Sequence, residues 1–479
     1  MTPLSNEQIE SIAARIAGVI DGKPIPVETK AVAPAPAMGN GIFQDIDSAV
    51  KAACEAHLKL MEQTLEQRNV MIAVIRSEML AHAEDLAKRA HAETGLGRVE
   101  DKIQKNRLVT EKTPGTEMLK PVAYTGDRGL TLIELAPYGV IGAITPVTNP
   151  TSTIICNSIG MLAAGNAVVF NVHPSAKNVS IYNIQLLNKI IIKAGGPPNL
   201  ITAIAEPTVA SAEELMQHPG VRLLVVTGGA AVVKAAMTSG KRAICAGPGN
   251  PPVVVDETAD IETAARDIVR GASMDNNIIC VDEKEVFVVD SVADKLLEAF
   301  SRNKAVILKP DQISQLEKVI FSETNGPGKP AKMEKSLIGK NAGEILSKIG
   351  MQVGDDLRLA ILPVDKDHPL VWTEQMMPVL PVVRMPNANS AIDIAKEAEH
   401  GFGHSAIMHS KNLDNLSRMA REMNCSIFVK NGPAYSGLGF GGEGYCTFSI
   451  ASPTGEGLTN PRSFSRERRC VLVDHFRIV

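Results

Sequence analysis

From about Leu130 to Lys430, short apolar runs rich in β-branched residues alternate with helical stretches, and this alternation restricts the fold more than any other feature. Residues 130–135, 140–144, 167–171, 200–204, 223–226 and 252–256 read as strands, with helices such as 154–164 and 180–194 between them. A second set follows at 286–289, 305–308, 360–363, 379–384, 405–408 and 426–430. Strand–helix alternation predicts parallel sheets with crossover helices. Two successive sets in the same style predict an α/β protein with two nucleotide-fold-like domains and a cleft between them. Upstream, residues 45–110 carry helical periodicity, from Val50, Ala53, His57 and Leu60 to Val70, Val74, Ile75 and Leu80.

The first 42 residues follow another pattern. Ile9, Ile12, Ile16, Val19 and Ile20 recur at helical spacing, while Glu7, Glu10, Ser11 and Arg15 lie off that stripe. Ser5 and Gln8 can form a capping box. With no basic start and no continuous apolar centre, the segment is not a secretory signal. The Ala/Pro-rich stretch after it reads as a linker, so residues 1–20 form an amphipathic helix on a tether spanning 21–42. Such a helix needs a surface for its apolar face, either its own globule or a partner.

Composition excludes several classes. The chain of 479 residues carries a net charge of −4 with no basic stripe, which argues against nucleic acid. Gly, Pro, Asn or charge breaks every apolar run short of a membrane span. Seven cysteines lie scattered without a C-x-x-C pair, the usage of reduced thiols in a cytosol-like compartment. Packing is the default for Cys54, Cys156, Cys245, Cys425, Cys446 and Cys470. His400 and His404 have i,i+4 spacing, but the Gly-Phe-Gly between them makes a poor helix, so no metal site is expected. Gly437-Leu438-Gly439-Phe440-Gly441-Gly442 matches G-x-G-x-x-G only formally. No clear helix follows, so it reads as a loop.

Cys280 is the cysteine with a chemical reading. It follows Asp275-Asn276-Asn277-Ile278-Ile279 and precedes a strand, a junction that can present a thiol at a cleft beside backbone amides. Three other segments fall in order around it. Residues 140–150 form a strand ending in the polar turn Thr145-Pro146-Val147-Thr148-Asn149-Pro150. Val225-Val226-Thr227-Gly228-Gly229 is a strand, a glycine turn and a helix start. Glu374 stands just before another strand.

Together these segments resemble the aldehyde dehydrogenase superfamily over nearly the whole chain after residue 40. The resemblance implies two Rossmann-like domains plus a small bridging or oligomerisation sheet. The NAD- and CoA-binding domain would be residues 43–250, with 123–136 in the bridging sheet; the catalytic domain would be 251–445 and the oligomerisation arm 446–479. It implies Cys280 as nucleophile and Asn149 as oxyanion donor, although the usual Pro-Trp-Asn-Phe-Pro turn puts its asparagine one place earlier. Thr145, Pro146, Thr227, Gly228, Gly229 and Glu374 would meet NAD, with Glu374 on the nicotinamide ribose. His173 and Ser175 stand where hydrolytic members have Lys-Pro-Ser at the adenosine ribose, and the missing lysine suggests a groove shared with CoA.

Hydrolytic members also carry a water-activating Glu where this chain has Ile244-Cys245-Ala246-Gly247. Without it a thioester can await a thiol. Both departures are similar to the CoA-acylating branch, in particular the propionaldehyde and acetaldehyde dehydrogenases of propanediol- and ethanolamine-type bacterial microcompartments. That branch implies a short-chain aldehyde as substrate, NAD and CoA as co-substrates, a homodimer or homotetramer, and a bacterial cytoplasmic microcompartment as location. The helix at 1–20 then resembles an encapsulation peptide that docks on a shell protein. The rival readings are a hydrolytic aldehyde dehydrogenase, an acyl-phosphate reductase and an inactive core scaffold.

Overall fold

In a computed structural model, which describes residues 39–479, four strands of the first set join two that the sequence reading did not expect, Ile42–Phe43 and Ala243–Ala246, in a six-stranded parallel sheet. Its spatial order is Ile42–Phe43, Ile201–Ile204, Ala167–Asn171, Val140–Ile144, Leu223–Thr227 and Ala243–Ala246. Every residue of the Val140–Ile144 and Ala167–Asn171 strands is buried, as expected of a parallel sheet covered on both faces. The chain runs outward from Val140–Ile144 on one side, then returns to place Leu223–Thr227 on the other. The strand order therefore reverses between these two neighbours, and ligands bind outside the carboxyl ends of strands at such a point.

The second set forms a seven-stranded parallel sheet with Pro252–Val255, a strand expected in the first set, in the order Ala305–Ile307, Leu359–Pro363, Val379–Met385, Glu285–Val289, Pro252–Val255, Ser405–His409 and Ile427–Lys430. The expected strands are all present, displaced by a residue or two at their ends. A third, antiparallel sheet joins Val122–Gly126, Gly129–Pro137 and Ser465–Val473. It is exposed on an apolar face that includes Val122, Tyr124, Val471 and Val473.

Three details differ from the sequence reading. The helix at 1–20 and most of the linker lie outside the described residues, and Ile42, expected to end the linker, opens a strand paired with Ala203. Of the expected arm at 446–479, only Ser465–Val473 joins the three-stranded sheet. Cys470 is exposed on that strand, and Cys54 and Cys425 are only partly buried; Cys156, Cys245 and Cys446 are buried as packing requires. No described helix is long and apolar enough to cross a membrane.

Glycines set the approach to the second sheet. The long helix Leu65–Thr94 stops at Gly95, which has φ 66°. Gly97, with φ 69°, then turns the chain into the helix Val99–Lys112. A Cβ on Gly97 would fall inside the Asp275 carboxylate, whereas one on Gly95 would meet only the tip of Lys340, 3.4 Å away. Gly97→Ala should therefore cost roughly 2 kcal/mol or more and Gly95→Ala about 1. Urea unfolding followed through the single tryptophan, Trp372, measures both, and equal losses would contradict the role given to Asp275.

Candidate active site

The turn that carries Cys280 is built from three consecutive residues in the left-handed region: Asp275, Asn276 and Asn277, with φ of 47°, 57° and 67°. Asp and Asn tolerate this conformation better than other L-residues because their short side chains bond locally, but each still costs on the order of 1 kcal/mol. Here all three side chains are buried and bonded. The Arg98 backbone N–H donates to Asp275 Oδ1 (2.7 Å), and Asp275 N–H donates to Asp101 Oδ2 (2.9 Å). Asn276 accepts from Arg98 Nε (3.0 Å) and donates to Gly339 O (2.8 Å). Asn277 donates to Ala272 O and Glu283 O, and its own Oδ1 accepts from the buried Lys284 ammonium at 2.7 Å.

Asp275 is also the centre of a buried ion cluster. Lys102 and Lys105, three residues apart on the helix Val99–Lys112, both donate to its Oδ2; the Lys102 contact is 2.9 Å. Burial alone would raise the Asp275 carboxyl, but the two ammonium groups hold it below its ordinary value. Burial pulls Lys102 down to about 8, against the attraction of Asp275. Beside them Arg358 Nη2 donates to Asp101 Oδ2 at 2.5 Å.

Cys280 opens from this turn into a groove of about 750 Å³. One wall comes from the carboxyl edge of the first sheet: Thr145, Pro146 and Asn149, then His173, then Thr227, Gly228 and Gly229. These lie at the switch point identified from the strand order. The facing wall comes from loops that enter the amino ends of strands in the second sheet. On that wall Cys280 precedes Glu285–Val289 and Glu374 precedes Val379–Met385, while Gly249 and His404, which do not line the groove, precede Pro252–Val255 and Ser405–His409. These four strands are neighbours, so strand spacing brings their entries within roughly 15 Å.

Contacts across this edge are close. A Cβ on Gly249 would stand 2.8 Å from Cys280 O and 2.9 Å from His404 Cγ, and Gly249 N–H reaches Glu374 Oε1 at 3.4 Å. Burial pushes the Cys280 thiol up to about 12, with the carboxylates of Glu374 and Asp282 adding to the shift and Lys284 opposing it. Burial likewise raises Glu374, and Lys284 opposes that shift too. Burial lowers His404 to about 4, and Lys284 pushes the same way; its Nδ1 bonds Ser405 Oγ at 2.8 Å while Nε2 has no partner.

The groove gathers all but one of the expected site residues. Ser175 is not among its walls; its N–H donates to His173 Nδ1 at 3.2 Å. The side chain of Cys245 is buried outside the groove, where the wall is formed instead by Ala246, Gly247 and Pro248. No carboxylate stands on that stretch. Thr447, Phe448 and Ile450 complete the lining, a role the sequence reading did not give to the start of the arm. It also passed over Lys105 and Lys284, and weighed His404 only as a metal ligand. A run of three Asp/Asn residues before the cysteine and a Lys-x-x-Lys pair on a helix were the available signals. His400 stacks near Trp372 and Phe402, apart from His404. A second cleft of about 800 Å³ lies around the Glu317–His368 pair, and none of the expected site residues reaches it.

The groove accommodates an extended dinucleotide. Gly229 leaves open space at the start of the helix Ala230–Met237, where no side chain blocks a diphosphate. The Glu374 carboxylate lies on the opposite wall.

Comparison with known proteins gives consistent matches. The model of the aldehyde dehydrogenase family matches residues 25–452. The acetylating acetaldehyde dehydrogenase EutE of Escherichia coli strain K12 is 51% identical over 440 residues, which cover 92% of this chain and 94% of that protein. A propionaldehyde dehydrogenase from the fucose utilisation microcompartment of Clostridium phytofermentans superposes with a TM-score of 0.89 at 45% identity, covering 92% and 100% of the two chains. A propionaldehyde dehydrogenase of Rhodopseudomonas palustris, solved with bound CoA and an acylated cysteine, superposes at 0.88 with 47% identity, covering 91% and 99%.

The raised Cys280 thiol has a direct consequence. In the absence of substrates, its alkylation by iodoacetamide should rise about tenfold per pH unit from pH 7 to 10 without a plateau, because the thiolate fraction is still small throughout. Peptide mass spectrometry separates Cys280 from exposed Cys470, and a plateau below pH 9 would contradict the environment described.

Proposed function

This chain belongs to the aldehyde dehydrogenase family, and from that premise we propose that it oxidises a short-chain aldehyde, acetaldehyde or propionaldehyde, to the acyl-CoA through a thioester on Cys280. The observation that carries this reading is the pairing of Cys280 with an apolar wall at Ala246–Pro248 in place of a water-activating carboxylate. NAD+ supplies the hydride acceptor and CoA the second thiol.

The protein's own residues account for the rest. Cys280 loses its proton and its sulfur bonds to the aldehyde carbon, leaving a negative oxygen. The Asn149 side-chain amide and the Cys280 backbone N–H stabilise that oxygen; one such donor is worth roughly 3–4 kcal/mol. Departure of hydride restores the carbonyl and leaves the thioester. The thiol of CoA then takes the acyl group, Cys280 departs as thiolate, and one proton is released overall. Thr227, Gly228 and Gly229 hold the diphosphate side of the dinucleotide, Thr145 and Pro146 flank it, and Glu374 accepts from the ribose. His173, and Ser175 through it, border the adenosine end.

The hydrolytic alternative requires a base for water where Ala246–Pro248 stand, and the scaffold alternative leaves the Cys280 turn unexplained. NADH formation from propionaldehyde should be strictly dependent on CoA, and Cys280→Ala should abolish it while leaving NADH binding measurable by fluorescence. Turnover to the free acid without CoA would overturn the acylating assignment.

Residues 1–20 are the part of the chain suited to a partner surface. We infer that their Ile9, Ile12, Ile16 and Ile20 stripe docks on a shell protein and directs the enzyme into a bacterial microcompartment, in keeping with the microcompartment origin of a structural neighbour. The exposed face of the three-stranded sheet suits a second copy of this chain in a homodimer or homotetramer. Removing residues 1–20 should abolish co-assembly with the shell in a co-sedimentation assay and leave aldehyde oxidation intact; unchanged co-assembly would end the docking role.

A further inference from the structure

Asn149 is held from behind. Its Oδ1 accepts a hydrogen bond from Lys105 Nζ at 2.6 Å, and its Nδ2 donates to the Thr148 hydroxyl at 3.1 Å. Lys105 is buried, 3% exposed, and is not part of the groove wall. It therefore touches the asparagine without reaching a substrate.

An amide side chain has two faces that differ only in which atom is oxygen and which is nitrogen. Its orientation must be fixed by its neighbours. An ammonium has three donors and no acceptor, so only the amide oxygen can face it. Rotating Asn149 by half a turn would set N–H against N–H in a buried site, where a lost partner is costly. The NH2 group is thereby committed to the other side, toward Thr148 and the groove. Lys105 is fixed in turn, since the same ammonium binds the Asp275 carboxylate at the head of the Cys280 turn. The Asp275 carboxylate is shared by two ammonium groups, Lys102 and Lys105, so the positive charge at the amide has no carboxylate of its own. That charge draws electron density toward Oδ1 and makes the N–H groups better donors.

We propose that Lys105 is a positioning residue for the reaction: it locks the Asn149 amide with its N–H groups toward the Cys280 thiohemiacetal oxygen, and through Asp275 it ties that donor to the turn bearing the nucleophile. The inference rests on Asn149 serving as the oxyanion donor. The amide and the thiol come from opposite walls of the groove, and Lys105 is the side chain that bonds to both supports.

The test is a double-mutant cycle on the full-length enzyme, with kcat for CoA-dependent propionaldehyde oxidation, KM for NAD+ and NADH binding as readouts. Asn149→Ala should lower kcat by about 10²–10³-fold. Lys105→Met should lower it by about 10- to 100-fold with KM for NAD+ nearly unchanged, because a mispositioned donor weakens only the transition state. In the Asn149→Ala background, Lys105→Met should cost less than about threefold, since no amide remains to orient. Lys102→Met removes the other ammonium from Asp275 but leaves the bond to Asn149, and should lose much less than Lys105→Met.

Lys105→Arg, still a donor-only cation, should retain more activity than Lys105→Gln, whose own amide can face Asn149 either way. This comparison carries the test if the methionine variant does not fold. Multiplying losses in the double variant, equal losses for Lys102→Met and Lys105→Met, or equal activity in the Arg and Gln variants would each overturn the proposal. Near-normal kcat in Asn149→Ala would remove the oxyanion role itself, and the role of Lys105 with it.

Discussion

The contact between Asp275 and the lysines of the Val99–Lys112 helix is the interaction on which the rest of the site depends. A carboxylate with no solvent exposure is tolerable only if its charge is met and its lone pairs are used, and Asp275 satisfies both conditions. It accepts from a backbone N–H and two ammonium groups. What it returns is a fixed backbone: the left-handed run Asp275–Asn277 would otherwise have several cheaper conformations. The strain of that run is held by hydrogen bonds from four separate parts of the chain, among them Arg98, Gly339, Ala272 and Lys284. The nucleophile thus sits on a turn whose shape is set from outside the turn, as a reactive group requires if it is not to relax away from its substrate.

The two sheets contribute in complementary ways. The carboxyl edge of the first supplies turns, glycines and an amide, which suit an extended, charged ligand lying against backbone. The amino edge of the second supplies side chains that titrate, Cys280 and Glu374. Both sheets are parallel, so each gathers like ends of its strands at one edge, and one groove is enough to bring the two kinds of group together. Burial shifts Cys280, Glu374 and His173 there toward their neutral forms, raising the first two and lowering the third. A groove of this kind suits a reaction in which charge is to appear at a fixed oxygen, facing dipoles already in place.

Much of this was legible in the chain. Continuous Val/Ile runs marked nearly every strand, because a strand buried on both faces has no polar residue to confuse its period. Cys280, Asn149, Glu374 and the Thr227-Gly228-Gly229 turn were recognisable because each stands at a strand end beside residues with turn chemistry. The roles that escaped were those defined by a partner far away in sequence. Lys105 looks like any solvated lysine on a helix until Asn149, 44 residues on, and Asp275, 170 residues on, close around it. Lys284 and His404 are likewise ordinary residues next to strands. Ser175, taken from the match to Lys-Pro-Ser, is not on the groove wall itself but bonds through its N–H to His173, which is. Cys470 was expected to be packed, yet among the described residues it is exposed, on a strand of the three-stranded sheet.

The sequence alone determined the class of fold, the order of most of its strands along the chain and the cysteine proposed as nucleophile, since hydrophobic period and turn residues are local and act within a few bonds. Which walls face each other and which lysine lies behind the amide were decided only by the tertiary structure. Those properties depend on the distance between residues far apart in the chain. The physical reason is the low dielectric of the interior: a charge or amide matters there according to what it touches, and sequence spacing carries no record of that contact.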